Sequence, residues 1–276
     1  MQVVFKEALG QSGGMGGLSP RRRVFVVGVA VVVLVLGLVV TVRVVGGGAS
    51  RAAGDRPGTV LLVPGYGGGT DGLRVLADRL RAAGRDAVVV DLPGDGTGDL
   101  AGQARALDRA ADRALRGGAP SVDVVGHSAG GVVARLWVRE RGGAGKARRI
   151  VTLGTPHRGV DLAAAGLALA PGACRRACQE LAPGSALLRR LGDRAPGPVR
   201  WTSVWSERDE TVPPASSPLA GAVDVDLQRV CADARTRHAE LPSDPLVTGI
   251  VLRALGDAAP PAGFGPADCA ALRVSS

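Results

Sequence analysis

The first strong pattern along the chain is an uncharged apolar run from Val24 to Val42, nineteen residues with Arg21-Arg22-Arg23 before it and Arg43 after it. At 1.5 Å per residue, a helix over this run would reach roughly 28 Å, close to the ~30 Å of a bilayer core. From Thr59 onward the pattern changes. Short β-branched runs alternate with longer amphipathic ones, which predicts repeated strand and helix units. Strands are expected at Thr59 to Val63, Asp86 to Asp91, Val122 to Val125, Arg149 to Leu153, Val199 to Val204 and Val223 to Leu227. Helices are expected at Asp71 to Ala83, Asp99 to Arg116, Gly130 to Arg141, Ser185 to Leu191 and Asp244 to Leu255. The strand runs are almost continuous Val, Leu and Ile, as in strands covered on both faces. The expectation is an α/β fold: a mostly parallel six-stranded sheet with helices on both faces, preceded by one transmembrane helix.

These patterns divide the chain into a basic cytoplasmic tail (1–23), a membrane segment (24–45), a Gly-, Ala- and Arg-rich linker (46–58), a folded domain (59–257) and a Pro- and Gly-rich tail (258–276). The arginines ahead of the apolar run would hold the N-terminus in the cytoplasm, leaving the domain outside it. A cleaved signal peptide is the alternative, with Met15 as the start and Gly48-Ala49-Ser50 as the cleavage site, and the domain would then be secreted. The apolar region of such peptides is usually only 7 to 15 residues long, which favours the retained anchor. Arg22-Arg23-Val24-Phe25 also resembles a twin-arginine export signal, but the strongly apolar run behind it favours charges that simply orient the segment.

Composition narrows the function classes. With 46% apolar and 21% charged residues the chain is too hydrophobic for disorder, and its 42 glycines have no collagen period. The net charge of +9 raises a nucleic-acid reading, but the first fifty residues carry five basic side chains against one acidic. Elsewhere Arg and Asp interleave, as in Arg105, Asp108, Arg109, Asp112 and Arg113, which is the pattern of a solvated ion-paired face. No nucleic-acid partner is expected. No metal or cofactor is expected either, since neither C-x-x-C nor H-E-x-x-H occurs.

Candidate chemistry clusters at the strand ends, where parallel sheets bind their ligands. The third strand runs into Gly126-His127-Ser128-Ala129-Gly130-Gly131 and then a helix, the G-x-S-x-G nucleophile elbow in its strand-turn-helix setting. Gly126 and Gly130 give the tight turn room and leave Ser128 exposed above the sheet. A serine hydroxyl needs a base, and the chain has three histidines. The side chain of His127 should diverge at the elbow, and His157 is expected to pack the end of the fourth strand. His238 follows the last strand and fits the order nucleophile, acid, base. Asp209 is the expected acid because Thr211-Val212-Pro213 after it resembles the turn that follows the acid in many enzymes with such an elbow; Glu207 and Glu210 are read as rim charges, with either as the alternative acid. Oxyanion donors are expected from the amides of Ala129 and, in Pro64-Gly65-Tyr66-Gly67-Gly68-Gly69-Thr70, of Tyr66. That loop lacks the Lys-Ser/Thr of a phosphate-binding P-loop.

Leu61 to Gly68 (LLVPGYGG), Val124 to Gly131 (VVGHSAGG), Val151 to Gly159 (VTLGTPHRG), the Asp209 turn, His238 and Cys174 to Ser185 (CRRACQELAPGS) occur in the order found in one family. From about Thr59 to Leu255 the chain resembles an α/β-hydrolase of the bacterial class 2 lipase type, similar to small secreted lipases and esterases of Bacillus and actinobacteria. It departs from many members in having Pro64 where they have histidine. The resemblance implies a serine ester hydrolase, lipase-like or esterase-like, acting through an acyl-enzyme on a small-molecule or lipid ester. Gly159 to Pro183, rich in Ala and Leu, is expected to wall an apolar acyl site. An acyltransferase or thioesterase would use the same triad, and a non-catalytic envelope protein would normally have lost part of it. The four cysteines, Cys174, Cys178, Cys231 and Cys269, all follow the apolar run and suit an oxidising compartment. Three pairings are possible; Cys174 with Cys178 and Cys231 with Cys269 are favoured, the latter tying the tail to the His238 loop.

Overall fold

The computed structural model describes residues 56–160, 174–259 and 261–274, with Arg21, 29–34 and Gly37 of the N-terminal stretch. The chain divides into two compact units, Met1–Arg51 and Ala52–Ser276. In the first unit, Arg21 and 29–34 and Gly37 are helical and exposed. Most of the expected membrane segment lies outside the described residues, and among the described residues no helix is long and apolar enough to cross a membrane.

The second unit contains a sheet of β1 (Thr59–Val63), β2 (Ala87–Val89), β3 (Val122–His127), β4 (Ala147–Leu153), β5 (Arg200–Trp205) and β6 (Val223–Asp226). Their spatial order is β2-β1-β3-β4-β5-β6. Every pairing is parallel, where the sequence predicted a mostly parallel sheet. The helices are α1 (Asp71–Ala82), α2 (Leu100–Arg116), α3 (Ala129–Glu140), α4 (Arg176–Leu181), α5 (Ala186–Leu191), α6 (Leu227–Val230), α7 (Pro245–Ala254) and α8 (Cys269–Val274).

Alternation along the strands feeds two cores. Leu61, Val63 and Val124 meet Leu107 of α2, Trp137 of α3 and Leu188 of α5 on one face. Val60, Leu62 and Val125 meet Leu76 of α1 and Ile250 of α7 on the other. Each fully buried Leu or Val removes its side chain from water, worth about 1.5–3 kcal/mol. Hence both faces of each strand read as apolar.

Two expectations need correction. The second strand is short, ending at Val89 rather than Asp91, because it is the edge strand and the chain turns away into Pro93-Gly94. The tail after 257 is more than a Pro- and Gly-rich stretch. It carries α8, which packs so closely on α7 that a Cβ on Gly249 would lie 2.0 Å from the Leu272 carbonyl oxygen.

At the amino ends of the strands an ion cluster closes the sheet. Asp123 of β3 is wholly buried and accepts from Arg148 Nη2 at 2.6 Å, Arg85 Nη2 at 2.6 Å and the Arg149 amide at 3.1 Å. Arg148 and Arg149 also donate to the Leu255, Ala254 and Gly256 carbonyls at the C-terminal end of α7. Cations placed there complement the helix dipole and satisfy carbonyls that have no intrahelical partner.

Candidate active site

The elbow lies between β3 and α3. Ser128 has φ +52° and ψ −124°, and it is the sole non-glycine residue with positive φ among the described residues. Such a conformation costs on the order of 1–3 kcal/mol and persists only where the surroundings enforce it. Here the Ser128 amide donates to the Leu153 carbonyl at 2.8 Å, and the Gly131 amide donates back to the Ser128 carbonyl at 3.1 Å. The flanking glycines are sterically required. A Cβ on Gly126 would sit 2.5 Å from Gly131 N, and one on Gly130 would sit 2.2 Å from the Val63 oxygen.

The loop after β1 presses against this elbow, since a Cβ on Gly65 would lie 2.9 Å from Ser128 Cβ and 3.5 Å from its Oγ. Among the described residues, the amides of Tyr66 and Ala129 donate to no other group. Ala129 opens α3, so its N–H has no intrahelical acceptor and gains from the positive end of the helix. The Tyr66 side chain is exposed. A second loop braces the first: Gly96 abuts Gly68, and buried Gln103 donates from Nε2 to the Gly96 and Gly98 carbonyls at 3.0 and 3.1 Å.

Asp209 and His238 meet in a single short contact. His238 Nδ1 is 2.7 Å from Asp209 Oδ2, with the carboxylate side chain only 1% exposed. The other carboxylate oxygen accepts from the Thr211 and Val212 amides at 2.9 and 2.7 Å. A carboxylate can only accept, so Nδ1 carries a proton and Nε2 is the nitrogen left available to accept one. Both residues lie against the end of β4, because a Cβ on Gly154 would be 2.9 Å from Asp209 Oδ2 and 3.1 Å from His238 Nδ1. Gly154 directly follows Leu153, whose carbonyl holds Ser128. Ser128, Asp209 and His238 thus converge on the ends of β3 and β4. Among the described residues Ser128 Oγ forms no hydrogen bond; in an unliganded site the serine–histidine bond commonly tightens only with substrate.

The remaining candidates fall into place around this pair. Neither Glu207 nor Glu210 bonds the His238 ring. Glu210 is more than a rim charge, however: its Oε2 accepts the His238 amide at 3.3 Å and pairs with Arg237 at 3.5 Å. Its own backbone amide and that of His238 hold its carboxyl below the usual range. Gln228, which sequence reasoning missed, joins the two loops, donating to Ser206 Oγ at 3.1 Å and the Ala234 carbonyl at 3.2 Å and accepting the Glu207 amide at 2.7 Å. A lone glutamine on a four-residue helix has no sequence signature. His157 is buried with Nε2 3.2 Å from Thr152 Oγ1, and burial pushes its pKa well below the ordinary value, consistent with packing the strand end. His127 does not simply diverge. Its ring lies 4.9 Å from that of His238, and its Nε2 lies 3.1 Å from the His238 carbonyl. Burial first, then the nearby charge of protonated His238, lowers the His127 pKa to about 4.

Disulfides join Cys174 to Cys178 and Cys231 to Cys269, the pairings favoured from the sequence. Most of the expected acyl wall, 161–173, lies outside the described residues.

No functionally curated protein matches the chain. Among solved structures, lipase B of Aspergillus fumigatus superposes with a TM-score of 0.61 at 20% identity, over 75% of this chain and 54% of that one. The mature Bacillus licheniformis lipase BlEst2 gives 0.53 at 17% identity, over 61% of this chain and 83% of that one. The chain therefore spans about half the length of the fungal lipase, and identities this low speak to the fold. The family profile reaches further, because the match to the "Alpha/beta hydrolase family" covers residues 60–273. With an all-parallel sheet, a strained serine elbow and a profile match over most of its length, the chain belongs to the alpha/beta hydrolase family.

Proposed function

We propose that the protein is a serine ester hydrolase, lipase-like or esterase-like, that acts through an acyl-enzyme outside the cytoplasm. The observation that carries the reading is the buried 2.7 Å contact between His238 and Asp209 beside a serine held at positive φ. His238 Nε2 takes the Ser128 proton as Oγ attacks the acyl carbonyl, and Asp209 fixes the tautomer and stabilises the imidazolium. The amides of Tyr66 and Ala129 receive the oxyanion, each worth about 2.7–4 kcal/mol in the transition state by analogy with a lost donor. Collapse of the tetrahedral species expels the alcohol, to which His238 returns the proton. Water activated by the same histidine then releases the acid. That both structural relatives are described as lipases supports an ester with an apolar acyl group. Two disulfides support an oxidising compartment, with the apolar run at 24–42 as anchor or export signal.

The test offers p-nitrophenyl esters of graded chain length to the domain from Arg51 onward and to its Ser128→Ala variant. Turnover by the first alone is expected, and equal rates would exclude the assignment. The chain-length optimum separates esterase from lipase. N-terminal sequencing of the membrane fraction addresses the anchor: a mature start near Arg51 would mean cleavage.

A further inference from the structure

We propose that His127, the residue ahead of the nucleophile, is a positioning residue that holds the general base in register with Ser128. The inference rests on the ester hydrolase reading and adds a role for a side chain outside the triad.

Three contacts fix His238. Asp209 takes its ring proton, Glu210 accepts its main-chain amide, and His127 meets its main-chain carbonyl. The first two come from the loop after β5. They set the base relative to the acid; toward the nucleophile it has the packing against Gly154 at the end of β4 and one hydrogen bond. His127 belongs to β3 and adjoins Ser128 in sequence. Its 3.1 Å contact is the sole hydrogen bond, among the described residues, between the elbow at 126–131 and the segment 234–243. A carbonyl only accepts, so His127 Nε2 carries a proton and donates. The two imidazoles pack at 4.9 Å with their planes tilted by 36°, so the donor also restricts the neighbouring ring.

An uncharged ring is required at this place. When His238 accepts the Ser128 proton it becomes a cation, and a second cation at that separation would oppose it. The titratable groups acting on His127 are His238, which lowers its pKa, and Asp209, which raises it, with burial the larger influence. A pKa of about 4 keeps it neutral wherever His238 serves as a base.

The test compares three variants of the full chain in steady-state hydrolysis of a p-nitrophenyl ester, beside wild type and Ser128→Ala. His127→Gln keeps an N–H donor at the reach of Nε2. His127→Asn carries the same amide at the shorter reach of Nδ1, and His127→Phe keeps an aromatic ring without a donor. The Asn and Phe variants are expected to lose about tenfold or more in kcat with KM within about twofold, and Gln to stay within about threefold of wild type. A role in packing alone would spare Phe and penalise Gln. Wild-type kcat in Phe, or a loss in Gln equal to that in Asn, would overturn the proposal. Thermal melting accompanies each variant, and if Phe fails to fold the Gln and Asn pair still decides. Equal activity of wild type and Ser128→Ala would instead overturn the ester hydrolase reading. An inactive Ser128→Ala with all three His127 variants at wild-type rates would overturn this inference alone.

Discussion

Gly154→Ala should damage catalysis through the Asp209–His238 contact although the residue bears no side chain of its own. A methyl group there would lie 2.6 Å from Leu241 Cδ1, 2.9 Å from Asp209 Oδ2 and 3.1 Å from His238 Nδ1. Leu241 can rotate its terminal methyl away cheaply. The carboxylate cannot, because Oδ1 is fixed by the Thr211 and Val212 amides and Oδ2 by the imidazole. It must still retreat by about 0.5 Å to reach the 3.4 Å at which ordinary contact begins. Misplacement by about 1 Å can cost about a hundredfold in rate, so a loss of about ten- to a hundredfold in kcat is expected, with KM little changed. Stability should fall as well. Gly154 has φ +53°, where a non-glycine residue pays about 1–2 kcal/mol, and overpacking adds about 1–3 kcal/mol. The assay is steady-state hydrolysis of a short-chain p-nitrophenyl ester at a temperature well below the measured melting point, so that the rate reports folded enzyme. A variant melting several degrees lower yet turning over within about threefold of wild type would refute the claim that this glycine clears space for the acid and base.

Other consequences are as direct. Asp209→Asn should lower kcat by about ten-thousand-fold by imposing the wrong histidine tautomer, whereas Glu210→Gln, which alters a main-chain contact and an exposed pairing with Arg237 but no bond to the imidazole, should cost less than about tenfold; equal losses would contradict the assignment of the acid. The unfolded chain binds more protons than the native one between pH 6.5 and about 4, because the His127 pKa is depressed across that window. Stability present above pH 6.5 is therefore lost as the pH falls through it, approaching roughly 3 kcal/mol, and buried His157 acts in the same direction. Melting temperature against pH should be flatter in His127→Gln than in wild type, and parallel curves would argue otherwise. Replacing Cys231 and Cys269 by Ser, whose separation is 38 residues, should cost about 4 kcal/mol in chemical denaturation, against about 2 kcal/mol for the Cys174–Cys178 pair four residues apart.

What could be read in advance was whatever leaves a local mark. Strands buried on both faces are runs of Val and Leu, and a nucleophile elbow needs small residues two positions either side of its serine, so β1, β3 and Ser128 announce themselves. The helices α4, α6 and α8, of four to six residues, do not. Such lengths are far below the ~12 residues at which a helix begins to be stable alone, and they exist only because the packed domain holds them. The roles of His127, Glu210 and Gln228 were hidden for a related reason. His127 meets His238 across 111 positions and Glu210 reaches it across 28, so the sequence shows the residues but not the meeting. The Gly154 requirement is of the same kind: a glycine before Thr155-Pro156 looks like a turn residue until Asp209 and His238 are packed against it.

The parallel sheet separates two jobs along a single direction. Ser128, Asp209 and His238 stand at the carboxyl ends of the strands, while Asp123, Arg85, Arg148 and Arg149 close the amino ends, with only the length of β3 between Asp123 and the elbow. Improving the elbow for stability would mean relaxing the strain that presents the nucleophile, the usual conflict between robustness and turnover. The ion cluster carries no such conflict, because it lies at the opposite end of β3 from Ser128. Sequence drift at that end can trade charge for apolar packing and move the melting point while leaving kcat alone. The molecule thus has a face on which stability is free to evolve and a face on which it is not.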